Sequence, residues 1–127
     1  MRELDKLAKY LHEIEMPFEQ YECDKQWDVD DCIIIMDRHQ ICVPNQEYPI
    51  WDAICQKGSY GYEEGLLEIY GVIVDEEIDG DTVTGWLTAN DVIKKLKKCG
   101  LDKPEKMLEL VQLKYRNQVD MHGVCNE

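Results

Sequence analysis

The sequence predicts a single α+β domain spanning residues 1–127. Three observations predict this class: apolar residues at helical spacing near both ends, runs rich in β-branched residues between them, and turn signals that separate the runs. With 127 residues, 44% of them apolar and 32% charged, the chain is long enough to bury its own core. We expect an N-terminal helix, an antiparallel sheet of about four to six strands that includes a hairpin at 72–87, a short central helix and two C-terminal helices.

The N-terminal helix is predicted by one apolar stripe. Its members recur at three- and four-residue steps: Leu4, Leu7, Ala8, Leu11 and Ile14. Acidic residues near its start, Glu3 and Asp5, suit the positive end of the helix dipole. Pro17 predicts that the helix stops near Glu15.

The strands are predicted between residues 18 and 55. Residues 18–23 form a weak strand, and 32–36 form a buried central strand because they are apolar on both faces. The polar residues 37–40 are predicted as a turn, followed by a return strand at 41–43. A further strand is expected at 48–55, with Pro49 placing its first half at an edge.

The glycine-rich segment 58–71 is predicted as a loop, a short helix and a stop at Gly71. The helical face is expected to contain Tyr62, Leu66, Ile69 and Tyr70. Its glycine spacing matches neither phosphate-binding fingerprint, and no lysine follows. We therefore expect a packed turn and not a phosphate site.

The acidic segment 75–81 is predicted as a hairpin turn at Asp79-Gly80. Its spacing resembles the start of a calcium loop, but the twelfth position, where a bidentate glutamate is needed, holds Trp86. We expect calcium binding to be weak at best.

Two C-terminal helices complete the prediction. Thr88 with Asp91 indicates a capping box at the start of the first, and Gly100 ends it. Pro104 opens the second. One side of that helix is predicted to be apolar: Met107, Leu108, Val111 and Tyr115.

Charge is the most informative property of the composition. The net charge is −13, and residues 1–93 hold 6 basic against 22 acidic residues. No lysine or arginine occurs from residue 58 to residue 92. Such a surface repels nucleic acid and attracts basic proteins, so nucleic acid is an unlikely partner.

The preferred prediction is a non-catalytic protein-interaction or inhibitor module that binds a basic protein, either by direct charge complementarity or by mimicking a nucleic-acid backbone. It needs no cofactor and no metal. The predicted partner-binding residues combine carboxylates with aromatic anchors: Tyr60, Tyr62, Glu63, Glu64, Asp75, Glu76, Glu77, Asp79, Asp81 and Trp86.

Two alternatives remain open. A small Mg²⁺- or Mn²⁺-dependent hydrolase or nuclease would use the acidic residues around Trp27, although a solvated loop is the preferred reading: Asp24, Asp28, Asp30 and Asp31. A helix-turn-helix DNA binder would use residues 88–116 and four lysines: Lys94, Lys95, Lys97 and Lys98. Carboxylates of Glu105 and Glu109 in its recognition helix argue against that alternative.

The cysteines and histidines form no recognisable site in the sequence. Six cysteines and three histidines are scattered without metal-ligand spacing. His39 lies between Asp37 and Cys42, but a histidine in a turn need not face a strand cysteine. With no secretory signal and no apolar run of membrane-spanning length, we expect a cytoplasmic protein with reduced thiols and no membrane contact.

The segments "WDAICQKGSYGYEEGLLEIYG" and "VTGWLTANDVIKKL" resemble a group of small proteins from Gram-positive bacteria, including gut Firmicutes, and from their phages and mobile elements. The resemblance covers somewhat over a third of the chain, from about Trp51 to Leu96. It implies no chemistry. It does suggest a mobile-element context, in which the basic partner would be a host or defence protein.

Overall fold

The computed structural model describes residues 1–71 and 83–116, with only the backbone described at residues 27 and 34–36. The elements in chain order are α1 (Glu3–Glu13), β1 (Glu19–Val29), β2 (Cys32–Val43), β3 (Trp51–Ile54), a 3-10 turn (Tyr62–Glu64), β4 (Leu67–Gly71), β5 (Val83–Leu87), α2 (Ala89–Lys98) and α3 (Pro104–Lys114). The predicted α+β class is confirmed. No helix within the described ranges is long and apolar enough to cross a membrane.

The five strands form one antiparallel sheet in the order β1-β2-β3-β4-β5. Each strand therefore pairs with its neighbour in sequence. β5 pairs with β4, and the first strand of the predicted 72–87 hairpin and its turn at Asp79-Gly80 lie outside the described residues.

The core lies between the helices and one face of the sheet. Four residues of the predicted stripe are buried in α1, whereas Ile14 follows the helix and is partly buried. The stripe packs with side chains of the sheet and of both C-terminal helices. The largest fully buried side chains are Leu4, Leu7, Leu11, Ile41, Val43, Ile50, Trp51, Leu67, Ile69, Leu96 and Met107.

The ends of the helices follow their local sequence signals closely. Thr88 caps α2 in a complete capping box with Asp91, and Gly100 follows the helix with φ +75°. Pro104 begins α3. One expectation there was wrong: Leu108 is 61% exposed, because α3 buries only a narrow stripe around Met107.

The turn predicted at residues 37–40 was wrong. β2 runs unbroken from Cys32 to Val43, and the chain reverses at Asp30 and Asp31, which both have positive φ. Aspartate tolerates the left-handed region that a tight hairpin turn requires. The polar side chains of Asp37 and His39 therefore belong to a strand.

The helix expected after Gly61 is a single 3-10 turn. Gly65 adopts φ +73° and ends it, after which Leu67 and Ile69 are buried on one face of β4 while Tyr70 points outward. Gly71, expected as a helix stop, is the last residue of the strand. A Cβ there would lie 2.4 Å from the Ile50 carbonyl oxygen, so the close approach of β3 requires glycine.

Candidate functional site

Five of the predicted partner-binding residues lie together at one end of the sheet. We call this group the aromatic–acidic patch: Tyr60, Tyr62, Glu63, Glu64 and Trp86. The rings of Tyr60 and Trp86 are stacked, with centroids 5.1 Å apart and planes at 25°, and these side chains are 55% and 58% exposed. A cavity of about 260 Å³ runs between this pair and the 3-10 turn.

The backbone around Trp86 is built to present the ring outward. β5 bulges here, so that Gly85 and Trp86 together face the single residue Glu68 of β4. Trp86 has φ +57°, an unfavourable conformation for a bulky residue. A Cβ on Gly85 would lie 2.3 Å from the Tyr60 Cβ, and one on Gly61 would lie 3.0 Å from the Trp86 Cα. Glycine at both positions lets the two segments touch.

Two hydrogen bonds hold these segments in place. The Trp86 backbone N–H donates to the Tyr60 carbonyl oxygen at 3.3 Å. The Tyr60 backbone N–H donates to the Glu68 carboxylate at 2.9 Å. The backbones of Tyr60 and Trp86 are therefore tied to each other, and the Tyr60 backbone is also tied to the Glu68 side chain.

The carboxylates of Glu63 and Glu64 are exposed on the 3-10 turn. Within the described part of the chain, no cation forms an ion pair with either of them. The other predicted members of the acidic surface lie outside the described residues: Asp75, Glu76, Glu77, Asp79 and Asp81.

A second polar group lies on β1 and β2, which we call the His39 cluster: Glu22, Asp24, Asp37 and His39. The strand register places Glu22 opposite His39 and Asp24 opposite Asp37. Because side chains alternate along a strand, all four project from the same face, which also carries the buried Ile41. The cluster is a polar continuation of the inner face of the sheet.

His39 is the centre of this cluster. Its Nδ1 contacts the Glu22 carboxylate, and its Nε2 lies 2.8 Å from both Asp24 Oδ1 and Asp37 Oδ1. The hydrogen bond to Glu22 raises the pKa of His39, partly opposed by burial of the ring. Arg2 contacts Glu22 in turn, and this hydrogen bond is the main cause of the lowered pKa of Glu22.

A cavity of about 620 Å³ opens beside the cluster. Asp24 and His39 line one side of it, and Tyr62 and Glu63 line another. The Asp37 carboxylate raises the pKa of the Tyr62 phenol, chiefly through charge. Tyr62 and Glu63 of the 3-10 turn therefore belong to the aromatic–acidic patch and also border the cavity beside the His39 cluster.

The remaining acidic candidates stay apart from this centre. Asp30 and Asp31 form the hairpin turn, and Asp28 is exposed near it on β1. Asp24 alone joins His39. No role was predicted for Glu22 or Asp37. Alternation of polar and less polar residues from 20 to 24 is a signal for the Glu22 side of the cluster, whereas residues 37–40 are all polar and carry no such signal.

Cys42 and His39 do not form a nucleophile–base pair. They lie an odd number of positions apart on β2, so their side chains are on opposite faces of the sheet. Burial raises the pKa of the Cys42 thiol to about 11, which disfavours the nucleophilic thiolate.

The lysines and glutamates of the helix-turn-helix alternative lie on α2 and α3. Lys94 and Lys97 are exposed, and the Lys97 ammonium lies 5.9 Å from the centre of the Tyr10 ring. Glu105 and Glu109 are exposed on the N-terminal half of α3, where they would meet a DNA backbone unfavourably.

Comparisons with protein-family models, with curated proteins and with solved structures gave no match to this chain.

Proposed function

We propose that this protein is a non-catalytic binding module that engages a basic protein through the aromatic–acidic patch. The observation that carries the proposal is the exposed, stacked pair of Tyr60 and Trp86 beside the exposed carboxylates of Glu63 and Glu64, which form no ion pair with any described residue. A lysine or arginine side chain fits such a site, because the ring faces attract cations and the carboxylates accept its hydrogen bonds.

Exposure of two large rings has a free-energy cost that calls for a reason. The positive φ of Trp86 adds an unfavourable term of about 1–2 kcal/mol. Strained backbone of this kind concentrates at functional sites, where the surrounding structure enforces it. Here the bulge, two glycines and two hydrogen bonds, one between main chains and one to the Glu68 carboxylate, enforce it, which supports a role for the presented ring.

Charge supports the same partner chemistry. The absence of lysine and arginine from residues 58–92 leaves the patch with no neighbouring cation in sequence. A negative surface increases the rate at which a basic partner meets it, and the aromatic pair supplies the contact energy. The partner expected from these properties is a host or defence protein with a basic contact surface.

Titration of the protein with a lysine- and arginine-rich peptide tests the proposal by calorimetry. Trp86→Ala should weaken binding by about 0.5–2 kcal/mol, or about 2- to 30-fold, the usual range for a cation over an aromatic ring. Tyr70→Ala is the matched control, because Tyr70 is also 55% exposed but lies on β4 away from the patch.

The charged side of the patch has its own control. Glu63→Gln with Glu64→Gln should slow association and weaken its salt dependence, whereas Glu105→Gln with Glu109→Gln on α3 should change neither much. If the double variant of Glu105 and Glu109 weakens peptide binding as much as the double variant of Glu63 and Glu64 does, net charge alone explains the interaction and the proposal is wrong.

A further inference from the structure

The register of β1 and β2 places two aspartates directly opposite each other. Asp24 and Asp37 are cross-strand partners, and like charges in that position repel. The histidine two residues along, His39, turns its Nε2 toward both. A positive charge between the two carboxylates would convert this repulsion into attraction.

Nε2 lies 2.8 Å from both carboxylate oxygens, and a single N–H there can be directed fully to only one of them. Of these two contacts only the one with Asp24 Oδ1, at 2.8 Å, has hydrogen-bond geometry, and it is a hydrogen bond only in the tautomer that carries the proton on Nε2. Asp37 Oδ1 lies equally close and has no donor with hydrogen-bond geometry among the described residues, although it is fully shielded and its side chain is only 11% exposed. The Tyr62 phenol lies near enough to interact with the same carboxylate. The other oxygen of this carboxylate, Asp37 Oδ2, accepts a hydrogen bond from the Lys57 backbone N–H at 3.1 Å. A shielded carboxylate oxygen without a donor needs another partner.

The other nitrogen of His39 is held as in a metal site. Nδ1 contacts Glu22, which Arg2 holds from the far side. A carboxylate on one ring nitrogen fixes the proton there and leaves the other nitrogen as a lone-pair donor, the arrangement found behind metal-ligating histidines.

We propose that Asp24, Asp37 and His39 bind a divalent transition-metal ion, with Glu22 as the outer carboxylate that orients the imidazole. The three donor atoms already lie within 4.8 Å of one another. Ligands about 2.1 Å from a metal are about 3.0 Å apart at octahedral angles and about 3.4 Å apart at tetrahedral angles. The 2.8 Å separations are closer to the octahedral value.

The donor set also defines the class of ion. One imidazole nitrogen with two carboxylate oxygens suits Mn²⁺, Co²⁺ or Zn²⁺ better than Mg²⁺ or Ca²⁺, which prefer oxygen. Asp24 and His39 border the cavity of about 620 Å³, so the remaining coordination positions can face it and accept water or an anionic ligand.

Calorimetric titration of the full chain with Mn²⁺ and Co²⁺ tests the site, with Mg²⁺ as the comparison. We expect one saturable Mn²⁺ site. Asp24→Asn and His39→Gln should each weaken it at least about 100-fold, and Glu22→Gln about 10- to 100-fold, as for outer-shell partners. Asp28→Asn is the matched control: it lies on the same face of β1 but opposite Ile33, and it should leave the affinity unchanged.

A second measurement keeps the test decisive if His39→Gln fails to fold. Substoichiometric Mn²⁺ should broaden the amide NMR signals of residues 22–24 and 37–39 in the wild-type protein before any others. Asp24, 73% exposed, can be substituted without loss of packing. Absence of saturable binding, equal losses with Asp28→Asn, or broadening centred elsewhere would each overturn the proposal. Trp86→Ala should retain metal binding, which separates this site from the proposed partner surface.

Discussion

Comparing Trp86→Gly with Trp86→Ala distinguishes the free-energy cost of the backbone conformation at residue 86 from the contribution of the ring. Its φ of +57° is costly for any residue with a Cβ, by about 1–2 kcal/mol, and costs glycine almost nothing. Glycine carries its own penalty of about 0.5–1 kcal/mol, because it gives the unfolded chain more freedom. The difference predicts that Trp86→Gly is more stable than Trp86→Ala by about 0.5–1 kcal/mol.

At an ordinary strand position the order reverses. Tyr70 is as exposed as Tyr60 but does not have positive φ, so Tyr70→Gly should be less stable than Tyr70→Ala by about 0.5–1 kcal/mol. Urea unfolding followed by far-UV circular dichroism gives all four free energies of unfolding. Both Trp86 variants lose the ring and should bind the basic peptide equally weakly.

The reasoning has a clear point of failure. If Trp86→Ala exceeds Trp86→Gly in stability by the margin seen at Tyr70, then residue 86 is not held in the left-handed region. The strained presentation of the ring, on which the binding proposal depends, would then be refuted.

Three further predictions concern stability. Thr88→Ala should lower the free energy of unfolding by about 0.5–2 kcal/mol because it removes the cap of α2. The Thr88 backbone N–H is the main cause of the lowered pKa of Asp91, so the stabilisation by the Asp91 carboxylate should be complete above its unfolded pKa and be lost as the pH falls through its lower folded pKa. Asp91→Asn should abolish this pH dependence in acid unfolding curves. Burial raises the pKa of Asp52, so its charged carboxylate destabilises the folded state at neutral pH and Asp52→Asn should be more stable than wild type there. This difference in the free energy of unfolding should shrink as the pH falls through the folded pKa and then the unfolded pKa of Asp52. A difference that stays constant with pH would contradict the prediction. Met107→Ala should cost about 2–5 kcal/mol in chemical unfolding because the side chain is fully buried, whereas Leu108→Ala, at 61% exposure, should cost under about 0.5 kcal/mol.

Helices were predictable from the sequence because their signals are local. The stripe of α1, the Thr88 cap and Pro104 each define an element within a few residues. The segment after Gly65 was harder, since Leu66, Ile69 and Tyr70 fit a helical period as well as a strand. Pairing of β4 with β3 and β5 decided the outcome, and such long-range pairing is absent from a local pattern.

The two candidate sites differed in how far the sequence could reveal them. Tyr60, Glu63 and Trp86 could be proposed from the sequence because charge and aromatic content can be counted directly. The His39 cluster was missed because residues 37–40 resembled a turn, which removed His39 from the strand. Only the register, which depends on the turn at Asp30 and Asp31, brings Glu22 and Asp24 beside it.

The 3-10 turn has a consequence for how the two sites would act together. Tyr62 and Glu63 line both the cavity beside His39 and the cavity beside Trp86. A metal ion bound beside His39 and a cationic side chain bound beside Trp86 would repel each other across this single turn. Both would also be attracted by the same negative charges. Their binding would be antagonistic, and by thermodynamic linkage each would reduce the affinity of the other by the same factor. Metal availability would then set how tightly the protein holds its partner.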